Sequence, residues 1–284
     1  MKTAIDSYCY HRYFGEIYPG LEEAPAARMS VEDFIDRAAG HQVEGISIEH
    51  FALDDASPVH LDQLRTRIDG YGMELVWAWG HPDGLGSGTR PDALPDLVAN
   101  LDVARRLGAR VMRICAGGRR TRPDSWREHR RNLLPLLREA TAEAERRGVV
   151  LAMENHADLL AHEAVELVEA VDSPALGLCL DTGNNLRMLE DVMPAIELLA
   201  PYARAVHLKD IAAYQGDPHT FGFWPSVETG TGLIDVPRAL RALDAAGYTG
   251  LLAVEIDYLM PGTGSEDEVL RRSLDYLTKT LAGL

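Results

Sequence analysis

The chain has 284 residues, 46% apolar and 25% charged, a composition typical of a globular protein large enough to bury a full core. Its formal net charge of −16 argues against a nucleic-acid backbone or an anionic membrane as the main partner. No run of about 18 apolar residues is present to span a membrane. The first residues enter a strand pattern without a signal peptide, and the three cysteines lie inside predicted strands, so we expect a reduced, cytoplasmic protein.

Short apolar runs alternate along the chain with amphipathic segments. The apolar runs predict strands at residues 3–10, 43–51, 73–80, 109–117, 149–156, 176–184, 203–210 and 250–257. Apolar residues at helical spacing predict helices at residues 30–39, 58–71, 91–107, 124–147, 162–171, 186–199, 236–246 and 265–281.

Several of these helices have start or stop signals. Ser30 with Asp33 resembles a capping box, and Asp124 is a predicted N-cap for the long fourth helix. Four glycines follow predicted helices, as left-handed C-caps do, namely Gly72, Gly108, Gly148 and Gly247.

Eight strands alternating with helices predict parallel pairing and a single (β/α)8 barrel domain over residues 1–284. An open doubly wound sheet is disfavoured, because the turn after the first strand lacks the glycine-rich phosphate-binding pattern. In a barrel, the carboxyl ends of the strands share one face, and enzymes of this architecture build their sites there.

Four of the predicted strands end in a carboxylate or an imidazole: Glu154, Asp181, His207 and Glu255. An unpaired charge in a core is very costly, so groups at these positions need a partner. Three carboxylates and one imidazole are a suitable set for a divalent cation such as Mn²⁺, Mg²⁺, Co²⁺ or Zn²⁺. The alternative is a buried salt-bridge network with Lys209 or Arg113.

Other polar or aromatic groups near the predicted strand ends are candidates for binding substrate. Arg113 and Lys209 suit a carboxylate or an oxyanion, and Trp79 suits the apolar face of a sugar ring. The remaining substrate-binding candidates are the hydrogen-bonding residues Asn155, His156 and Asn184. A structural role inside the barrel is the alternative for the charged and aromatic members.

Two long irregular segments, at residues 11–29 and 211–234, are expected to overhang the barrel mouth. The second contains Tyr214, Phe221, Phe223 and Trp224, which suggest an aromatic wall over the site. A basic run from Arg119 to Arg122 is either an anion-binding loop or a solvated one.

The ordered motifs resemble the xylose-isomerase-like barrel superfamily. They are Glu-Asn-His at Glu154, Asp-Thr-Gly at Asp181, His-Leu-Lys-Asp at His207 and the final Glu255. The resemblance covers essentially the whole chain. It implies that these four residues are metal ligands and that the protein acts on carbohydrates.

The resemblance further implies an isomerase or epimerase that works through an enediolate, with Glu154 and Glu255 as the groups that move protons. Two departures weaken a plain ketohexose 3-epimerase: Leu160 stands where those enzymes carry a Glu, and Asn184 where many relatives carry a His. A lyase on the same site is therefore the alternative, either a 3-oxo sugar acid decarboxylase or an enzyme that cleaves 3-keto C-glycosides.

Two further classes are open to test. A DNA-repair endonuclease uses the same barrel, but the charge of −16 opposes duplex binding, so we expect no nucleic-acid partner. A non-catalytic metal-binding barrel is disfavoured because a pure binder needs no pair of acid–base groups. We expect a small carbohydrate as the ligand, no membrane partner, and either a homo-oligomer or a small partner subunit.

Overall fold

The computed structural model describes residues 1–284. Its eight parallel strands close into a barrel in which each strand pairs with the next in sequence and the eighth pairs with the first. The strands are β1 (Lys2–Asp6), β2 (Gly45–Glu49), β3 (Glu74–Trp79), β4 (Val111–Ile114), β5 (Val150–Glu154), β6 (Leu176–Asp181), β7 (Ala203–Leu208) and β8 (Leu251–Val254). The predicted barrel and the order of its strands are confirmed.

Ten helices surround the barrel or lie at its mouth. They are α1 (His11–Phe14), α2 (Val31–Gly40), α3 (Pro58–Gly70), α4 (Leu94–Leu107), α5 (Trp126–Arg147), α6 (Ala161–Val171), α7 (Asn184–Arg187), α8 (Val192–Leu199), α9 (Val236–Ala245) and α10 (Glu266–Leu281). None of these helices combines the length and the apolar character needed to cross a membrane.

Local capping follows the sequence at most helix ends. The capping box is confirmed: Asp33 N donates to Ser30 Oγ at 3.1 Å, and Ser30 N donates to Asp33 Oδ2 at 3.1 Å. Gly108 and Gly148 are left-handed C-caps, with φ of 88° and 68°. Such φ values strain any residue that carries a Cβ, which explains glycine at these two positions.

Two predicted helix boundaries are wrong. The predicted N-cap Asp124 lies outside the fourth helix, because the extended residue before Trp126 is Ser125, and no side chain caps that end. The segment predicted as one helix over residues 186–199 forms two, α7 and α8. The left-handed φ of Leu189, 59°, ends the first of them.

Alternate residues of each strand face the surrounding helices or the interior of the barrel. Outward-facing strand residues such as Ile46 and Leu178 join the main core against the helices. Inward-facing residues in the amino-terminal half form a second, small cluster: Ala4, Val76, Ala152, Cys179, Ala205, Leu251 and Ala253. The next inward-facing residues along several of these strands are charged, and they form the site described below.

Candidate metal centre and the cavity above it

The four predicted ligand side chains converge at the carboxyl end of the barrel. Glu154, Asp181 and His207 each offer one ligand atom, and these atoms all lie within 4.8 Å of one another. Glu255 follows β8 and places Oε2 at 2.7 Å from His207 Nδ1. All four residues are buried, the most exposed at 6%.

In each carboxylate the protein holds one oxygen and leaves the other without a hydrogen bond. Asp181 Oδ1 accepts from the backbone N–H groups of Gly183 and Asn184 at 2.7 and 2.9 Å. Glu154 Oε1 accepts from Asn184 Nδ2 at 2.8 Å. The second oxygens of Asp181 and Glu154 have no hydrogen-bond donor. Their outer contacts fix the two carboxylates, and the second oxygen of each, which lies beside a buried cationic side chain but accepts no hydrogen bond, is the atom available to a metal ion.

The remaining two ligand candidates also have unpartnered atoms. Both ring nitrogens of His207 and Oε2 of Glu255 lack a hydrogen bond, although His207 and Glu255 are in close contact. Buried polar atoms without partners are rare in folded proteins. A set of three carboxylate oxygens and one imidazole nitrogen therefore fits a divalent metal ion, which would satisfy the unpartnered atoms together.

Two buried cations share the site with these carboxylates. Lys209 Nζ lies 3.0 Å from Asp181 Oδ2, 3.3 Å from Glu255 Oε1 and 2.9 Å from Asp257 Oδ2. Arg113 Nε lies 3.0 Å from Glu154 Oε2. Both residues, predicted to bind a carboxylate or an oxyanion of the substrate, therefore lie among the acidic groups of the barrel.

Arg113 also donates to the buried Glu49 at the end of β2. Because the side chains of Glu49 and Glu154 both contact this one guanidinium, its N–H donors are divided between two partners. A substrate anion would have to compete with both, so the contacts of Arg113 favour a role in holding Glu154.

The carboxyl groups of the site have different pKa values because their charged neighbours differ. Burial opposes ionisation of Glu255, but Lys209 and His207 lower its pKa well below the usual range. Burial likewise opposes ionisation of Glu154, and Arg113 brings its pKa below the usual value. Burial raises the pKa of Asp181 to about 6, against the attraction of Lys209. Glu154 and Glu255 are therefore ionised at neutral pH and available as bases.

The three residues predicted to hydrogen-bond a substrate, Asn155, His156 and Asn184, have different partners in the structure. Asn155 has no free hydrogen-bonding group for a substrate: its Oδ1 accepts from Asp181 N at 2.7 Å, and its Nδ2 donates to Asp181 O at 2.9 Å and to Asn185 Oδ1 at 2.6 Å. Asn184 holds Glu154 and also lines the cavity. His156 donates from Nδ1 to Gly117 O at 2.7 Å, and its ring lines the cavity.

Trp79 does not lie at the site. Its indole Nε1 donates to Asp96 Oδ2 of α4 at 2.7 Å, and the ring packs in the core between barrel and helices. The side chains of β3 alternate in direction, and Trp77 likewise faces the helices, donating to Asn100 at 3.0 Å. The sequence suggests that a strand ends in an aromatic residue, but not which face that residue takes.

A cavity of about 410 Å³ lies over the ligand residues. It is built from the loops that follow six of the strands, and six of its lining residues also face the small space directly beside the ligands. These shared residues are Tyr8, Tyr18, His81, His156, Arg187 and Phe221. The cavity is therefore continuous with the ligand cluster and offers room for a substrate.

The two long loops meet over this cavity. The ring centroids of Tyr18 and Phe221 are 4.5 Å apart, and the Arg187 guanidinium lies 4.5 Å from the Phe221 centroid. Phe221 and Trp224 line the cavity as the predicted aromatic wall requires, whereas Tyr214 is 52% exposed and outside it.

Several residues of the site were missed from the sequence. Tyr8, His81 and Arg187 line both spaces, and Asp257 pairs with Arg187 at 2.6 Å and with Lys209. Asp257 had a signal, because it lies two residues after Glu255 and alternation brings it to the same side. Tyr8 and Arg187 lie in short helical turns after β1 and β6. These turns are too short for a periodic pattern of apolar residues to indicate which side chains face inward.

Comparison with known proteins agrees with this geometry. The sequence profile described as xylose isomerase-like TIM barrel matches residues 35–280. The chain belongs to this family. Family membership, the closed barrel and the clustered Glu154, Asp181 and His207 together confirm the predicted superfamily and fold.

Two curated relatives cover most of the chain. A 3-oxo-isoapionate decarboxylase of Pectobacterium atrosepticum is 29% identical over 236 residues, which are 81% of this chain and 80% of the relative. A 2-epi-5-epi-valiolone 7-phosphate 2-epimerase of an Actinoplanes species is 35% identical over 205 residues, 71% of this chain and 72% of the relative. The relatives are thus enzymes of carbohydrate chemistry, but of different reaction types.

Among solved structures, the IOLI protein with a bound zinc atom superposes with a TM-score of 0.76 at 16% identity. The alignment covers 100% of this chain and 99% of that one. At this identity the similarity shows the shared fold.

Proposed function

We propose that the protein is a divalent-metal-dependent isomerase or epimerase acting on a sugar or an oxidised sugar derivative. The observation that carries the proposal is the cluster of unpartnered ligand atoms on Glu154, Asp181, His207 and Glu255, lying beneath a cavity. When bound, a divalent ion supplies Lewis-acid stabilisation of the negative charge that an enediolate develops.

The residues of the chain perform the proton transfers. Glu154 and Glu255 are ionised and held by Arg113 and Lys209, so either carboxylate can accept a proton from a carbon next to a carbonyl group. The other carboxylate, once it has taken a proton from solvent, delivers that proton to the opposite face of the carbon. Both carboxylates are fixed by their buried partners, which keeps them oriented without reorganisation during the reaction.

The upper wall suits a polyhydroxylated ligand. Because His156 uses Nδ1 to donate to Gly117 O, its Nε2 is not engaged in that hydrogen bond. Tyr8 and His81 add a hydroxyl and an imidazole to the same wall. Burial lowers the pKa of His81 well below its usual value, so its imidazole is neutral and can exchange hydrogen bonds with hydroxyl groups.

The two relatives support different branches of this proposal. The Actinoplanes protein is named as an epimerase, which supports reversible proton transfer at carbon. The Pectobacterium protein is named as a decarboxylase and covers more of the chain, which supports a lyase as the second candidate. Leu160 also favours the lyase, since it puts an aliphatic side chain where ketohexose 3-epimerases place a carboxylate.

The first prediction tests the metal and the proton transfer together. Metal-loaded protein is incubated in deuterated water with panels of ketoses, inososes, 3-keto glycosides and 3-oxo sugar acids. Deuterium at a carbon of recovered sugar indicates the isomerase branch, and release of carbon dioxide or an aglycone indicates the lyase branch. Glu154→Gln and Glu255→Gln should each lower turnover at least about a hundredfold.

The control is Glu139→Gln, which removes an exposed carboxylate on α5 and should leave turnover unchanged. Elemental analysis should find about one divalent ion per chain, as expected for one such ligand cluster. A protein that is fully active without metal would overturn the proposal. Incision of abasic-site DNA in a nicking assay would instead favour the endonuclease class.

A further inference from the structure

The cavity wall carries more arginines than carboxylates, although the chain as a whole has a net charge of −16. Its charged residues other than histidines are Arg119, Arg120, Arg187, Glu16 and Asp83. Two of the arginines have carboxylate partners. Arg187 Nη1 lies 2.6 Å from Asp257 Oδ2, and Arg120 Nη2 lies 3.7 Å from Asp83 Oδ1.

Arg119 is the arginine of this wall that pairs with no carboxylate. Its guanidinium donates to the backbone oxygen of Arg187 and, at 3.3 Å, to Nδ1 of His219. Neither partner carries a negative charge, so the positive charge of Arg119 remains uncompensated. The wall's other unpaired charge is Glu16, which belongs to a different loop, the one after β1.

The turn that carries Arg119 is fixed by its neighbours. Thr121 Oγ1 accepts from Gly118 N at 2.9 Å, which closes the turn around Arg119. Arg122 then makes a two-pronged pair with Glu163 of α6, at 2.7 and 2.9 Å. Because the backbone on both sides is tied down, the position from which Arg119 reaches the cavity is set before any ligand binds.

Arg119 lies one layer of residues outside the ligand cluster. Its guanidinium contacts the backbone of Arg187, which is on the same short helix α7 as Asn184, and Asn184 in turn holds Glu154. A ligand that reaches from Glu154 to Arg119 therefore presents its two ends to different groups. The reacting carbon lies at the carboxylates, and the other end meets a guanidinium.

We propose that Arg119, together with His219, forms a subsite for an anionic group, a phosphate or a carboxylate, at the end of the substrate remote from the reacting carbon. The fork of N–H donors in a guanidinium matches both groups. This inference rests on the proposed function, which it deepens by naming the substrate class as sugar phosphates or sugar acids. A carboxylate bound here is not the one that a decarboxylase would release.

The second prediction tests this subsite by binding, without turnover. The probes are glucitol, glucitol 6-phosphate and gluconate, which share a six-carbon chain and lack the aldehyde or ketone that an enediolate requires. Calorimetric titration of the Mn²⁺-loaded protein should give tighter binding of at least one anion than of glucitol. Arg119→Gln should weaken that anion about tenfold to a hundredfold and leave glucitol unchanged.

Arg120→Gln is the matched control, since it removes the neighbouring arginine, whose side chain is 81% exposed and already faces Asp83. Its anion affinity should stay within about twofold of the parent, because an exposed pair contributes little. Preference for glucitol 6-phosphate assigns a phosphate substrate, and preference for gluconate assigns a sugar acid. Thermal unfolding checks that both variants fold.

The proposal is overturned if neither anion binds more tightly than glucitol, or if Arg119→Gln leaves the anion affinity unchanged. An anion that binds to the metal instead of Arg119 would give the second result. These outcomes are distinct from failure of the proposed function, which appears as absence of metal or of turnover in the panels and not in these titrations.

Discussion

The two halves of the barrel interior differ in the chemistry of the side chains that fill them. Five strands place a small apolar residue in the amino-terminal half and an ionisable one two positions later. The pairs are Ala4 and Asp6, Ala152 and Glu154, Cys179 and Asp181, Ala205 and His207, and Ala253 and Glu255. The same backbone thus supports a small, dry cluster below and a dense set of charges above.

The difference teaches which half supplies stability and which supplies chemistry. The lower layer contains only apolar side chains, which gain free energy on burial. The upper layer contains unpartnered oxygens on Asp6, Glu154, Asp181 and Glu255, and each such atom costs free energy unless a ligand satisfies it. A site prepared for a cation is therefore a local weakness of the metal-free protein.

The third prediction tests that weakness through Glu49, a carboxyl in the upper layer. Burial raises the pKa of Glu49 from 4.5 to about 8, although Arg113 opposes the shift. Between these values the folded protein binds more protons than the unfolded chain, so stability falls as pH rises. The slope from this group is about 1.4 kcal/mol per pH unit at most, which amounts to no more than ~5 kcal/mol over the whole window from 4.5 to 8.

Urea unfolding of the metal-free protein at pH 5.5, 7 and 8.5 measures this dependence. Glu49→Gln cannot ionise, so its stability should fall less with pH than that of the parent. Glu139→Gln, which changes an exposed carboxyl, should follow the parent. Parallel curves for the parent and Glu49→Gln would show that burial of this carboxyl does not weaken the folded state.

The fourth prediction concerns the lower layer and has a smaller expected effect. Ala152 is fully buried in the small apolar cluster, so Ala152→Leu adds three carbon atoms to a closely packed interior. The free energy of unfolding should drop by about 1–3 kcal/mol. The same substitution at Ala99, exposed on α4, should change it by less than about 0.5 kcal/mol. Equal effects at both positions would mean that the lower layer is loosely packed.

The sequence predicts the barrel and its four ligand candidates because both depend on regular patterns. Strand alternation and strand ends are visible in residue type alone, so Glu154, Asp181, His207 and Glu255 could be placed on one face. The pattern does not say what each polar side chain contacts. Asn155 and Arg113 have the right residue types for substrate binding, yet their hydrogen-bonding groups face backbone or carboxylate partners.

The irregular parts of the site were harder to predict for a related reason. Trp79 faces the helices because of the direction in which β3 alternates, and this depends on the register of neighbouring strands. Arg187 reaches the cavity because the helix predicted over residues 186–199 is broken after its first turn. Such contacts between segments distant in sequence have no local signal in the chain.

The last prediction concerns the loops that cover the charged layer, and its expected effect is the smallest. Phe221 contacts the ring of Tyr18 and the guanidinium of Arg187, so it closes one side of the space beside the ligands. Phe221→Ala removes a cation–π contact of about 0.5–1 kcal/mol, which should raise KM for an active substrate roughly twofold to fivefold. kcat should change little, because the aromatic ring of Phe221 neither accepts nor donates a proton in the proposed reaction. Phe223→Ala is the control, since that ring packs on Trp224 at 4.7 Å and does not line the cavity. If Phe223→Ala raises KM as much as Phe221→Ala, the loop acts through its overall packing, and the charged layer has no specific aromatic cover.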